Sequence, residues 1–185
     1  EINPRMTYVE LIEDIFEGNL QQFRFTIIEG TVAKDALRKL RQIIENNNLN
    51  FQISSKTLEI FSKESLILPD TYFFTDRQQL ERLMINQKIR LDNILTRLWK
   101  NKPKDNPLKS INEALILASI VEREAAVEWE RAQISSVFLS RIRDGWRLDA
   151  DPTLIYGYYG DFSKKITKEN LKAVKGDNNP FNTYK

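Results

Sequence analysis

Ser110–Trp129, SINEALILASIVEREAAVEW, is the stretch on which the reading of this chain turns. Ser110 followed three places later by Glu113 is a capping-box pattern just ahead of an apolar run, and it predicts a helix start. Ala114, Leu115, Leu117, Ala118 and Ala125 are mostly strong helix formers. At about 100° per residue, Ile111, Ala114, Leu115, Ala118, Val121, Ala125 and Trp129 share one face. Glu122 falls inside that stripe, whereas Glu124 and Glu128 are expected to point away from its centre, towards the rim or water. A carboxylate on a packed face is costly unless it is paired, neutralised or used. Desolvation raises a carboxyl pKa, and a raised pKa suits a general acid near neutral pH. Glu122 is therefore the candidate catalytic residue; the competing reading is a salt bridge to an arginine such as Arg131 or Arg141. Periodicity flags the position without naming a reaction.

Composition narrows the chemistry. The 185 residues suffice for one large or two small domains with a real core. An apolar share of 41% and a charged share of 29% are ordinary for a globular chain. The formal net charge of +2 argues against a nucleic-acid partner, which would ask for a concentrated basic patch. There is no Cys and no His. That removes disulfides, thiol nucleophiles, Ser-His-Asp catalysis and the usual zinc sites. Proton transfer in an enzyme of this composition runs through Asp, Glu, Lys or Tyr, and no metal or cofactor is expected. No run of about 18 apolar residues is present to span a membrane. The chain opens at Glu1 without Met, so it is expected to begin inside a longer gene product.

Upstream, Thr7 and Glu10 predict a short helix through Val9, Leu11, Ile12 and Ile15, ended by Gly18-Asn19. Gln22–Glu29 alternates and reads as a strand, followed by a turn at Glu29-Gly30. Ala33–Asn46 is amphipathic through Ala36, Leu37, Leu40, Ile43 and Ile44. Phe51–Ile53 is a candidate second strand. Pro69-Asp70 inside an apolar stretch marks a turn or a strand edge. Asp76 caps a long helix from Arg77 to about Trp99, and Lys100–Pro107 is a charged loop. Downstream of the central helix, Ala132–Arg143 is amphipathic and ends at Asp144-Gly145. Asp151-Pro152 predicts an N-cap followed by Pro at the first helical position, with one turn stopped by Gly157. Thr167–Val174 is a last short helix. The pattern is α+β: a small βα module, then a mainly helical part.

Several stretches together resemble one family. LASIVERE (117–124), LPDTYFF (68–74), LDADPTLIYG (148–157) and NPFNTYK (179–185) occur in the order seen in the MltG (YceG-like) family, the endolytic murein transglycosylases of bacteria. The resemblance covers nearly the whole chain. It implies a LysM-like subdomain over residues 1–74 and a YceG-like catalytic subdomain over residues 75–185. It implies non-hydrolytic cleavage of the MurNAc-β-1,4-GlcNAc bond within peptidoglycan strands, leaving 1,6-anhydro-MurNAc ends, with no cofactor. The catalytic Glu of the family carries over to Glu122. One carboxyl suffices for a lytic reaction, because the sugar's own 6-hydroxyl replaces the activated water of ordinary glycosidases. Substrate contacts are expected from Asp70, Thr71, Tyr72, Asp151, Thr153, Tyr156, Asn182, Thr183 and Tyr184. The resemblance also implies a full-length protein anchored in the inner membrane, working on its periplasmic face alongside cell-wall synthases of the elongation or division machinery. Two rival readings stay open: a non-catalytic peptidoglycan-binding or divisome scaffold module, and a cytosolic helical interaction domain with Glu122 in a structural salt bridge.

Overall fold

The computed structural model describes residues 7–9, 12, 21–64, 67–173 and 178–184, with the side chains of 171–173 left aside. Tyr8, Val9 and Ile12 are helical, and the rest of the helix expected to open at Thr7 lies outside the described residues. The chain forms two compact units, Glu1–Leu91 and Asp92–Lys185.

In the first unit β1 (Phe23–Ile27) pairs antiparallel with β2 (Asp70–Phe74), Phe23 opposite Phe74 and Phe25 opposite Tyr72. Alternation turns Phe23, Phe25, Ile27, Tyr72 and Phe74 to one buried face. Helix α1 (Ala33–Asn46) covers that face with Ala36, Leu40 and Ile44, spaced four apart. A second helix, α2 (Ser55–Ile60), adds Ile60 and is capped by the Ser54 hydroxyl, which accepts from Thr57 N at 3.2 Å. The strand expected at Phe51–Ile53 does not form. Those residues are an extended loop whose Phe51 and Ile53 pack their side chains on the core without joining the sheet.

Helix α3 (Arg77–Lys100) starts where expected, with the Asp76 carboxylate accepting from Gln79 N at 2.9 Å. Its Leu80 and Met84 complete the core of the first unit. That is why the unit runs to Leu91 and does not close at residue 74.

The second unit is helical. Helix α4 (Ile111–Glu124) is capped by Ser110, whose hydroxyl accepts from Glu113 N at 3.1 Å. Glu113 in turn accepts from Lys109 N at 2.7 Å. The helix ends five residues before Trp129, because the Glu130 carboxylate captures Ala126 N (3.2 Å) and starts the next helix. Val127 and Trp129 are consequently exposed. Helix α5 (Glu130–Arg143) packs Phe138, with Ile134 and Leu139, against Leu117, Ile120 and Val121 of α4. The turn after it uses Gly145 at φ 71. Helices α6 (Asp151–Tyr159) and α7 (Lys168–Ala173) follow. The architecture is α+β, as the sequence pattern requires. No helix among the described residues is long and apolar enough to cross a membrane.

The Ser110 cap fixes the start of the helix that carries Glu122. Ser110→Ala should cost about 1 kcal/mol. Urea unfolding followed by circular dichroism measures it, and a midpoint unmoved by the substitution would mean that the cap contributes nothing.

Candidate functional site

The buried face of α4 lies one step round from the face that the sequence pattern selects. Leu117, Ile120 and Val121 are buried, whereas Ala118 is exposed. Positions 117, 120 and 121 are followed on the same stripe by 124, at the i, i+3, i+4, i+7 spacing. The carboxylate that continues the apolar stripe is therefore Glu124, the last residue of the helix.

Glu122 lies off that stripe and meets α5. Arg131 Nη2 donates to its Oε1 at 3.0 Å, and Arg131 Nε lies 3.0 Å from its Oε2. The pair is partly open to water, Glu122 26% and Arg131 41% by side chain. At that exposure it stabilises the α4–α5 contact by no more than about 1 kcal/mol. Both residues border a groove of about 510 Å³ walled by Leu117, Ala118, Val121 and Leu139. That is a volume able to take a ligand. Arg141, the other arginine considered for Glu122, instead donates from Nη1 to the Leu148 carbonyl.

Glu124 faces a different set of groups. Burial holds its carboxyl pKa above the ordinary range, and the negative charge of Asp151 adds to this. Glu124 is nevertheless the more open of the two glutamates, exposed where Glu122 is half-buried.

The start of α6 and the tail bring four of the expected residues together. Tyr184 donates its hydroxyl to Asp151 Oδ1 at 2.5 Å. The hydroxyls of Thr153 and Thr183 lie 2.9 Å apart, and Ala150 N donates to Thr183 Oγ1 at 3.0 Å. Thr183 O accepts from Asp149 N at 3.1 Å, and Tyr184 O accepts from Arg147 Nη1 at 2.9 Å. Asn182 Oδ1 accepts from Tyr184 N at 2.9 Å, which folds the tail on itself. Burial, then the Asp151 hydrogen bond and charge, push the Tyr184 hydroxyl far above its ordinary pKa, so it remains a donor.

Two details of α6 differ from expectation. Ala150, not Asp151, is the N-cap; Asp151 is the first helical residue and Pro152 the second, and Thr153 Oγ1 donates back to Ala150 O at 2.7 Å. The helix also runs through Gly157 to Tyr159 and stops at Gly160, φ 65. Gly157 has a different task. A Cβ there would stand 2.1 Å from Asn179 Nδ2, so the glycine lets the tail lie against the helix. Tyr156 stacks edge-on with Phe181 of that tail, ring centroids 4.9 Å apart.

Asp70, Thr71 and Tyr72 lie in the first unit, on β2. Tyr72 is 3% exposed and donates its hydroxyl to the Leu68 carbonyl; burial pushes its pKa up to about 12. It is a core residue of its own unit and offers a ligand no surface, contrary to the expectation of a substrate contact. Thr71 shares a 3.0 Å hydroxyl contact with Thr26 across the sheet, and exposed Asp70 accepts from Thr71 N at 2.7 Å. No group of three or more His, Cys, Asp or Glu side chains fit to hold a metal occurs among the described residues.

The model of the YceG-like family matches residues 1–185. An endolytic murein transglycosylase of Bacillus subtilis (strain 168) is 30% identical over 207 residues, covering 100% of this chain and 56% of the relative. One of Streptococcus pneumoniae serotype 2 (strain D39 / NCTC 7466) is 28% identical over 128 residues, covering 66% of this chain and 22% of the relative. The chain thus spans about half the length, or less, of these curated relatives. The crystal structure of a yceG-like protein from Listeria monocytogenes is similar at a TM-score of 0.58 and 22% identity. The match covers 99% of this chain and 66% of that one, and at this identity the likeness concerns the fold alone.

The tail's seat on α6 should be sensitive at one position. Gly157→Ala, a change that stabilises an ordinary helix, should here destabilise by about 1–3 kcal/mol, as overpacking does. Thermal unfolding monitored at 222 nm tests it; a raised midpoint would show that Asn179 swings aside freely.

Proposed function

The chain belongs to the YceG-like family, and from that premise we propose that it is the lytic core of an endolytic murein transglycosylase. Its substrate is then the peptidoglycan glycan strand, cut at the MurNAc-β-1,4-GlcNAc bond to leave 1,6-anhydro-MurNAc ends. Work on that polymer places it on the extracytoplasmic face of the bacterial inner membrane, with cell-wall synthases as partners.

The observation that carries the reading is the packing of α4, which ends at Glu124, against α6, at whose start Tyr184 donates to Asp151 at 2.5 Å. A lytic mechanism needs one group that arrives protonated. Glu124 protonates the glycosidic oxygen as the bond to the anomeric carbon breaks. The resulting carboxylate takes the proton of the 6-hydroxyl as that oxygen closes the anhydro ring. The acid is thereby regenerated, and neither water nor a second carboxylate is consumed.

Sequence pattern alone puts this role on Glu122. The neighbour two places on is favoured because Arg131 grips both oxygens of Glu122 and commits that side chain to an ion pair. Glu122 is left the work of joining α4 to α5 at the edge of the groove.

Two substitutions separate the assignments. Glu124→Gln should lower release of anhydro-muropeptides from purified sacculi by at least about 100-fold, the usual scale of general acid–base catalysis. Glu122→Gln should retain part of the activity. Mass analysis of the digested products reads both. Loss only in Glu122→Gln would return the role to Glu122. Full activity in both would refute the enzymatic reading, and glycan binding without product would favour a scaffold module.

Stability gives an independent check. The folded state holds the Glu124 proton to higher pH than the unfolded chain does. Its stability contribution is therefore present at acid pH and is lost as pH rises through the folded pKa. Glu124→Gln, which cannot ionise, should match the parent at about pH 4 and equal or exceed it at pH 7. A lower melting temperature at pH 7 would contradict the raised Glu124 pKa.

A further inference from the structure

The connection between α3 and α4 gathers positive charge. Arg97, Lys100, Lys102, Lys104 and Lys109 fall within residues 97–109, and Asp105 is the single acid among them. The whole chain carries 28 basic and 26 acidic residues, so outside this segment acids outnumber bases. All five basic residues are exposed. None of the five forms an ion pair among the described residues. Asp105 lies 3.7 Å from Arg143, a sixth cation beside the segment.

Like charges repel, and a solvated connection gains nothing by keeping them together. This one is nevertheless pinned. Leu108 is buried in the core of the second unit, and its amide donates to Asn106 Oδ1 at 2.9 Å. Asn106 N donates to the Pro103 carbonyl at 3.2 Å, and Lys102 N to the Trp99 carbonyl at 3.3 Å. Lys102 Nζ stands 4.3 Å from the centroid of the Trp99 ring, which packs on the same core. The charges are thereby held as a patch. An apolar stripe runs out beside it. Ile94 and Leu95 of α3 are half-buried, whereas Leu98, four places after Ile94, is 59% exposed.

Clustered cations next to an exposed leucine are what an anionic bilayer rewards. The charges meet headgroup phosphates, and the apolar side chain enters the boundary with the acyl chains. A soluble polyanion uses the charges alone. We propose that residues 97–109 form a docking face for an anionic phospholipid membrane. For its setting the proposal rests on the reading that the protein works at the inner membrane; the binding itself does not depend on the catalytic assignment. Lys109 precedes α4 and Glu124 closes it, and the 14 residues of that helix span about 21 Å. A bilayer held at the first end leaves the second clear for a glycan strand. Docking therefore orients the lytic site without occupying it.

Sedimentation of the 185-residue chain with vesicles of equal parts phosphatidylglycerol and phosphatidylcholine tests the proposal. Pure phosphatidylcholine vesicles and soluble polyphosphate are the controls. The parent should bind the anionic vesicles but not the neutral ones, and more weakly as salt is raised. Each basic residue at such a surface is worth about five-fold in affinity, so Lys100→Gln/Lys104→Gln should lose about 25-fold. Lys39→Gln/Arg41→Gln, the same charge loss at exposed positions of α1, should bind as the parent does. Leu98→Ser should weaken binding to vesicles and leave binding to polyphosphate unchanged. Absence of binding to the anionic vesicles overturns the proposal. Equal losses in the two double variants overturn it too, since net charge alone would then be at work. Vesicle binding unchanged in Leu98→Ser would show a general polyanion site and overturn the assignment to a membrane. Anhydro-muropeptide release from soluble glycan strands is read on the same proteins. Lys100→Gln/Lys104→Gln should match the parent; a loss there would put the patch in glycan binding and overturn its orienting role. No release by the parent, with vesicle binding intact, would refute the lytic reading and leave the docking face standing.

Discussion

The packing of α4 against α6, held by the hydrogen bonds between the start of α6 and the tail, is the constraint around which the second unit is arranged. Here the apolar stripe Leu117–Ile120–Val121 carries Glu124 to the end of α4, and the hydrogen-bonded start of α6 holds Asp151 in place. The arginines that could neutralise them are engaged elsewhere: Arg131 with Glu122, Arg123 on Phe162, and Arg147 and Arg141 on backbone carbonyls.

The rest of the second unit is ordinary packing. Phe138 and Leu117 join α5 to α4, and Ala150 and Leu154, both fully buried, seat α6. The first unit contributes differently. Its core is built from phenylalanines on a two-stranded sheet, a small sheet that survives because α1 and the start of α3 cover its apolar face. The Asp70–Tyr72 segment, which carries a family-like motif, holds that sheet together, and the Tyr72 hydroxyl is spent on the Leu68 carbonyl. A motif can be specific to a family and still owe its residues to folding.

Much of the fold was legible in the chain. Ser110 and Asp76 announced their helices because a side-chain oxygen three residues ahead of a free N–H is a local contact that needs no tertiary partner. Ala33–Asn46 was legible to the residue, since its apolar spacing and the asparagines after it agree. The failures were equally physical. Phe51–Ile53 has strand-like residues, but the sheet offers it no third position. Gly157 looks like a helix stop until Asn179 is seen to need the space. The helix that begins at Arg77 gives its first turns to the core of the first unit, a contact that periodicity along one helix does not reveal.

By itself, the sequence determined that this is an α+β chain without histidine or cysteine, so that any proton transfer falls to Asp, Glu, Lys or Tyr, and its pattern singled out Glu122. Glu122 and Glu124 are two residues apart, so about 200° of helix rotation separates them, and where the apolar face is centred decides which of them lies nearer to it. That centre is set by what packs on the helix. Phe138 and Ala150 come from elsewhere in the chain, and so does Arg131, which pairs with one glutamate. Periodicity counts apolar residues along one helix; only the tertiary structure decides which side of it meets a neighbour.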